Sequence, residues 1–307
     1  MAFSAQDVKN LREMTGVGMM DCKKALTEAD GDIDKACDWL REKGLAAAQK
    51  KAGRIAAEGV AYADVFDGIG VVVEVNAETD FVAKNDLFNE FVKNVALVVA
   101  KENPADLTAL FACKYPGTEL TVEQMQQEKV LVIGENIKIR RYVRYETGVS
   151  VPYVHMGGRI GVIINMDVPA GFESKSEVIE LGKDLAMQIA AMNPAYRDKS
   201  DVDQSVLDKE KEILMIQAKE DPKNASKPEA IIEKMVVGRV SKFYEENCLL
   251  QQSYVKGDKI SVEQHIAEVS KSIGAKLAIT GFTRFEKGEG IEKKQDDFAA
   301  EIASLVK

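Results

Sequence analysis

His155 and His265 are the only imidazoles in this 307-residue chain, and Cys22, Cys37, Cys113 and Cys248 are its only thiols. A Ser-His-Asp relay would have to recruit one of those two histidines. His155 stands beside Gly157-Gly158, and His265 lies within Glu263-Gln264-His265-Ile266-Ala267-Glu268; each reads as a surface or packing histidine rather than a base. The cysteines form no Cys-x-x-Cys pair and stand beside no histidine, so they read as reduced, mostly buried thiols. No Gly-x-Gly-x-x-Gly or Walker-type loop is present, and Gly288-Glu289-Gly290 reads as a turn. Covalent catalysis is not the expected activity, and neither a resident metal nor a cofactor is expected.

Two stretches remain with binding chemistry. In Thr79-Asp80-Phe81-Val82-Ala83-Lys84-Asn85 a carboxylate stands next to an aromatic ring, between the strand-like Val71-Val72-Val73-Glu74-Val75 and a helix beginning near Asp86. Such connections are normally built from Gly, Asn, Asp or Ser. Phe81 is therefore either a wedge aimed at another molecule or part of a self-satisfied corner tucked into its own core; spacing leaves both readings open. In Ile137-Lys138-Ile139-Arg140-Arg141-Tyr142-Val143-Arg144-Tyr145, alternation puts Ile137, Ile139 and Val143 on one face and Lys138, Arg140, Tyr142 and Arg144 on the other. A half-buried strand with a solvated face explains this pattern better than an RNA site does.

The elements that must position these residues are legible. Hydrophobic content of 46% and charged content of 30% belong to an ordinary soluble protein, and the length suffices for two or three units with real cores. A net charge of −9 disfavours broad phosphate-backbone binding and favours a protein or small-molecule partner. The run Val95 to Ala100 is far short of a bilayer span, and Met1 to Asp7 has neither a basic leader nor an apolar signal core, so a cytoplasmic protein is expected.

Residues 1–54 read as a three-helix module. Ser4 caps the first helix, Thr15-Gly16-Val17-Gly18 turns into the second, and Asp30-Gly31-Asp32 opens a third that carries Ile33, Ala36, Cys37 and Leu40 and ends at Gly44. Lys50-Lys51-Ala52-Gly53-Arg54 reads as a solvated linker. A degenerate repeat follows, its copies about 90 residues apart. Ile69-Gly70-Val71-Val72-Val73 follows an Asp67-Gly68 turn, and Ile160-Gly161-Val162-Ile163-Ile164 follows a Gly157-Gly158 turn, both read as two-residue hairpin turns. Each hairpin is backed by a helix closing on Asn-Pro, at Asn103-Pro104 and Asn193-Pro194. Only the first copy carries the Thr79–Val82 loop.

The expected fold is α+β: two repeated core subdomains at 55–145 and at 146–199 with 247–286, an antiparallel helical hairpin inserted at 200–246, and a carboxy-terminal helical module at 287–307. The hairpin places Val202, Val206, Ile213 and Ile216 on one arm, breaks at 221–226, and places Ile232, Val236, Val240 and Phe243 on the other. Such a projecting hairpin commonly mediates self-association. The terminal helix carries Phe298, Ile302 and Leu305 on one stripe.

With these residues in hand, the chain resembles the bacterial elongation factor Ts family. The matching stretches are Leu11–Leu26, Asn76–Asn85, Ile133-Gly134-Glu135-Asn136, His155–Val162 and Gly281–Glu286, in family order and over nearly the whole length. The resemblance implies a guanine-nucleotide exchange factor for elongation factor Tu, with a ubiquitin-associated-like (UBA-like) amino-terminal module, two gripping core subdomains and a dimerising hairpin. It implies that Thr79, Asp80, Phe81 and Val82 disturb the partner's Mg²⁺ site. It further implies that Met19, Met20, Cys22, Lys23, Ile133, Gly134 and His155 contact the partner, and that Mg²⁺ and GDP or GTP belong to that partner. Two other classes stand beside it: an RNA- or ribosome-binding factor using the Lys138–Arg144 face, and an adaptor using residues 1–54 alone. The hairpin and the segment after Glu292 match the family pattern weakly.

Overall fold

Ser4 and Asp7 cap the first helix reciprocally: the Asp7 N–H donates to the Ser4 hydroxyl at 3.3 Å and the Ser4 N–H donates to the Asp7 carboxylate at 2.7 Å. In the computed structural model, which describes residues 3–224, 227–257 and 259–292, this helix is α1 (Ala5–Thr15), followed by α2 (Met19–Glu28) and α3 (Ile33–Lys51). Leu11, Cys22, Leu26, Ala36 and Leu40 close together as the module's own core. Gly44 does not end α3. A Cβ there would lie 3.3 Å from the Gln127 carbonyl oxygen, so the glycine permits close approach to another helix instead of serving as a cap. Lys50 and Lys51 are consequently the last turn of α3 rather than a linker.

Asp67 and Gly68, with φ of 50° and 85°, make the two-residue turn between β1 (Glu58–Phe66) and β2 (Ile69–Ala77). The chain then forms α4 (Asp80–Ala83), α5 (Asp86–Glu102), α6 (Leu107–Ala112), α7 (Val122–Ile133) and β3 (Lys138–Tyr145). The second copy comprises β4 (Val149–His155), β5 (Ile160–Asp167) and α8 (Ser176–Met192). The inserted α9 (Gln204–Glu220) and α10 (Glu229–Asn247) follow, then α11 (Val262–Ile273) and β6 (Ala278–Glu286). Two antiparallel sheets result, ordered β1-β2-β3 and β4-β5-β6. The repeat extends to its irregularities: register slips at Glu74/Val75 in one sheet and at Asn165/Met166 in the other, four residues after Gly70 and Gly161 respectively. Asn103 and Asn193, both left-handed, end α5 and α8.

Each of these two helices covers one face of its sheet. On α5, Phe88, Phe91, Val92, Val95 and Val99 are fully buried, each contributing about 1.5–3 kcal/mol. The opposite faces of the two sheets pack on each other through Ala61, Ala63, Val72, Ile163 and Phe285, giving layers of helix, sheet, sheet and helix. Strand β2 is accordingly buried along both faces.

The turn at Gly157-Gly158 is not a two-residue turn. His155 pairs with Ile160, leaving Met156–Arg159 as a four-residue loop in which Met156, Gly157 and Gly158 have φ of 49°, 63° and 94°. The Gly158 carbonyl accepts from the Ala61 N–H at 2.8 Å, and a Cβ on Gly158 would meet Val60 at 2.6 Å. Docking against β1, a contact no local turn rule contains, sets this loop.

Strand β3 departs from simple alternation. Arg141 pairs with Glu74 and Ile139 with Val75, so Arg140 is the extra residue of a bulge. Ile139 and Tyr142 face the first core while Val143 and Tyr145 face the other sheet. Arg140 and Arg141 do not form a solvated face: both bind the fully buried Glu74 carboxylate, at 2.9 and 2.6 Å. Arg144 donates to the Ala100 carbonyl at 3.1 Å. The Gly288-Glu289-Gly290 turn crosses back over this sheet, the Gly288 N–H donating to Glu74 at 2.8 Å and Arg141 to the Glu289 carboxylate at 2.9 Å.

The seam of the α9–α10 hairpin is formed by Leu214, Met215, Ala218, Ile232, Val236 and Val240. Val202 precedes α9 and is buried at the hairpin's root, whereas Val206, Ile213 and Ile216 are exposed. The second arm's expected residues Ile232, Val236 and Val240 do close the hairpin, whereas Val206, Ile213 and Ile216, expected to meet them from the first arm, leave that place to Leu214, Met215 and Ala218. Ala225, Ser226 and the terminal helix around Phe298, Ile302 and Leu305 lie outside the described residues. Among the described residues no helix is long and apolar enough to cross a membrane, and no three His, Cys, Asp or Glu gather as a metal site.

Candidate functional site

Thr79 caps α4, accepting the Val82 N–H at 3.5 Å, and the four residues of that helix turn Phe81 outward and Val82 inward. Phe81 is 80% exposed and Val82 7%, the latter packed into the first core. The buried-corner reading thus fails for Phe81; Val82 is the residue that anchors the loop. Asp80 is exposed and pairs with Lys84 at 3.0 Å. A single helical turn has little stability of its own. Its hold comes from elsewhere.

That hold is a reciprocal clamp between the end of β2 and the residues after α7. The Glu135 carboxylate accepts the Glu78 and Thr79 N–H groups, each at 3.0 Å, and the Thr79 hydroxyl at 2.6 Å. In return the Glu78 carboxylate accepts the Asn136 N–H at 2.6 Å. The buried Asn136 side chain donates to the Arg54 carbonyl at 2.8 Å, and Arg54 lies 3.4 Å from Glu78. Burial, reinforced by Arg54, pulls the Lys51 ammonium below its usual range, against the opposing pull of Glu78 and Glu135.

Ile133 and Gly134 stand at the start of the same clamp. Ile133 is half-buried against the first core, and Gly134 is an exposed left-handed cap with φ of 87°. Leu131 and Val132, the two residues just before Ile133, pack into the amino-terminal core. Helix α7 thereby joins the three-helix module to the base of the Thr79–Val82 loop.

His155 ends β4, its Nδ1 2.9 Å from the Tyr153 hydroxyl. In the following loop Met156 is 68% exposed, and Arg159 lines the same cleft as Asp80, Glu286 and Lys287. The Met156–Arg159 loop of the second copy and the Thr79–Val82 loop of the first therefore border one polar cleft. The α2 residues form a separate patch on the amino-terminal module. Met19 and Met20 are exposed, as is Lys23, whose ammonium pairs with no carboxylate among the described residues. Cys22 is fully buried, its thiol donating to the Val17 carbonyl at 3.4 Å, and burial pushes that thiol up. Its side chain supports the patch from beneath and is not part of the exposed surface.

Glu135, Asn136, Met156 and Arg159 stand inside the family-matching stretches Ile133–Asn136 and His155–Val162, but the residue pattern along the chain assigns none of them a role. The one local signal was a carboxylate directly after a helix-ending glycine, Gly134-Glu135, which has no means of naming a target in a strand end far away in sequence.

A family model described as elongation factor TS matches residues 78–289. Elongation factor Ts of Syntrophotalea carbinolica is 47% identical over 309 residues, covering 100% of both chains. That of Clostridium perfringens is 48% identical over 307 residues, 99% of each chain. That of Magnetococcus marinus is 46% identical over 308 residues, covering 100% of this chain and 99% of the relative. The family model takes in the Thr79–Val82 loop, Glu78 and Glu135 of the clamp, β3 and the second sheet, and the relatives extend the match across β1, β2 and the three-helix module: this chain belongs to the elongation factor Ts family and is a translation elongation factor.

Proposed function

We propose that the chain is the guanine-nucleotide exchange factor for elongation factor Tu, binding its GDP form and promoting release of GDP so that GTP can load. The observation that carries this reading is Phe81, 80% exposed on a one-turn helix whose base is clamped. A GTPase holds its nucleotide through Mg²⁺ and through the backbone N–H groups of its phosphate loop. In this reading Phe81 displaces an element of that site and Asp80 perturbs the Mg²⁺ shell, while Thr79 and Val82 hold the pair in place. The chain acts by binding, with no covalent step and no metal or cofactor of its own.

Magnitudes require more than the wedge. Accelerating release by ~10³–10⁵-fold takes about 4–7 kcal/mol, whereas burying one Phe supplies about 1.5–3 kcal/mol. The remainder is assigned to a wide interface: Met19, Met20 and Lys23 on the UBA-like module, Ile133 and Gly134 at the end of α7, and His155 on the second subdomain. Linkage makes the effect reciprocal, so GDP weakens binding of this chain by the factor by which this chain weakens GDP binding. Release of labelled GDP from elongation factor Tu, with and without this chain, is the direct test; no acceleration at saturating chain refutes the reading.

The same proposal assigns self-association to the 200–246 hairpin, supported by its exposed Val206, Ile213, Ile216, Ile231 and Val237. It also assigns the chain to the cytoplasm, where translation takes place.

A further inference from the structure

Phe81 has the highest exposure among the large apolar side chains described, yet the chain two and three residues before it is held by three hydrogen bonds to a single carboxylate. An exposed ring gains nothing from rigidity while the chain is free in solution. Rigidity has value when the ring must enter a partner, because the cost of ordering it has then been met before the encounter. Three bonds from Glu78 and Thr79 converge on one carboxylate, that of Glu135. A strand end needing only satisfied N–H groups would obtain that from water.

We propose that Glu135 is a positioning residue for the Phe81 wedge, orienting it through Thr79 without touching the partner's nucleotide site. This rests on the exchange function proposed above. The geometry shows how the group acts. One carboxylate oxygen takes both backbone N–H groups and fixes the direction in which the chain leaves β2; the other takes the Thr79 hydroxyl, which caps α4 and so sets the rotation of Phe81. The Glu78–Asn136 bond, made in the opposite sense, prevents the two segments from sliding.

The test uses the full chain carrying Glu135→Ala, Glu135→Gln, Phe81→Ala and the double change Phe81→Ala with Glu135→Ala. Glutamine can accept both N–H bonds and donate back to the Thr79 hydroxyl, so it should restore most of what alanine loses. In the free chain, amide hydrogen exchange at Glu78 and Thr79 should quicken at least tenfold in Glu135→Ala while the central amides of β2 stay protected. That readout requires no partner. If β2 loses protection equally, or if Glu78 and Thr79 do not change, the clamp is not the local device described and the proposal falls.

In labelled-GDP release from elongation factor Tu, Glu135→Ala should lower the maximal rate about tenfold and shift the half-saturating concentration less than twofold. The double variant should be no more than twofold slower than Phe81→Ala, because a positioning residue has nothing left to position. Losses that multiply, or a Glu135→Ala rate within twofold of the parent, would overturn the role. A parent chain that fails to accelerate release refutes the exchange reading, and with it any wedge to position, while the amide measurement still reports whether the clamp exists.

Discussion

Phe81 and Val82 are consecutive residues with opposite fates: Val82 is 7% exposed within the first core and Phe81 is 80% exposed to solvent. Adjacent positions on one helical turn face opposite ways, so substitutions at the two should have separable effects. Phe81→Ala should leave the melting temperature within about 2 °C of the parent and slow stimulated GDP release roughly 10- to 100-fold, the kinetic equivalent of one buried Phe. Val82→Ala should cost about 1.5 kcal/mol of stability from two lost methyl groups at ~0.8 each. Paired denaturation and exchange assays check both; an unchanged release rate with Phe81→Ala removes the wedge.

Glu74 is fully buried and held by Arg140 and Arg141. Removing both arginines leaves a carboxylate stranded between the sheets, so Arg140→Ala with Arg141→Ala should destabilise the chain by roughly 3–5 kcal/mol. The same pairing predicts the result for RNA. With Arg140 committed to Glu74 and Arg144 to the Ala100 carbonyl and Glu146, filter binding should show no salt-steep RNA affinity that Arg140→Ala and Arg144→Ala abolish; finding one would revive the RNA-binding class.

Burial pushes the Glu128 carboxyl on α7 up, with Arg41 and Lys129 only partly opposing it. The folded state therefore holds this proton more tightly than the unfolded chain, and ionisation above the raised value costs stability. Glu128→Gln should raise the melting temperature at pH 7. The advantage should shrink as pH falls through the raised value and vanish below about 4.3, the ordinary glutamate value. Melting curves across that range decide it, and an equal melting temperature at pH 7 contradicts the burial argument.

Gly157 and Gly158 are neighbours with unequal freedom. A Cβ on Gly157 meets nothing within 4 Å, whereas one on Gly158, at φ of 94°, meets Val60 at 2.6 Å. Gly157→Asn should cost at most about 1 kcal/mol, since Asn tolerates the left-handed region. Gly158→Ala should cost roughly 2–4 kcal/mol, combining strain with overpacking against β1. Urea denaturation of both variants tests the difference, and equal stability would contradict the docking of this loop.

Ile213, Ile216 and Val237 are 40%, 50% and 69% exposed on the inserted hairpin. If that face mediates self-association, Ile216→Asp with Val237→Asp should convert a dimer to a monomer in sedimentation equilibrium without lowering exchange activity per chain. A parent chain monomeric at tens of micromolar would exclude the role.

Much of the architecture was legible because it rests on local rules. Ser4 and Asp32 accept backbone N–H groups that helix starts leave unpaired, Asp67-Gly68 supplies two positive φ angles, and Asn103 and Asn193 stop their helices ahead of proline. The repeat and the inserted helices follow from hydrophobic spacing in the same way. Gly44 misled because a glycine that ends a helix and one that admits a neighbouring helix look identical along the chain. The β3 pattern misled because a bulge at Arg140 reverses the faces midway and a buried carboxylate recruits the arginines.

Residue order alone determined the three-helix module, the two copies and the loop in which a Phe follows an Asp, since each depends on contacts within a few turns of chain. Whether Phe81 faced inward or outward was decided by the fold. Val82 found space in the core formed by β2 and α5, and Glu135, distant in sequence, seized the backbone of Glu78 and Thr79. Those interactions exist only once α7 lies beside the end of β2, and no periodicity in the sequence records that approach.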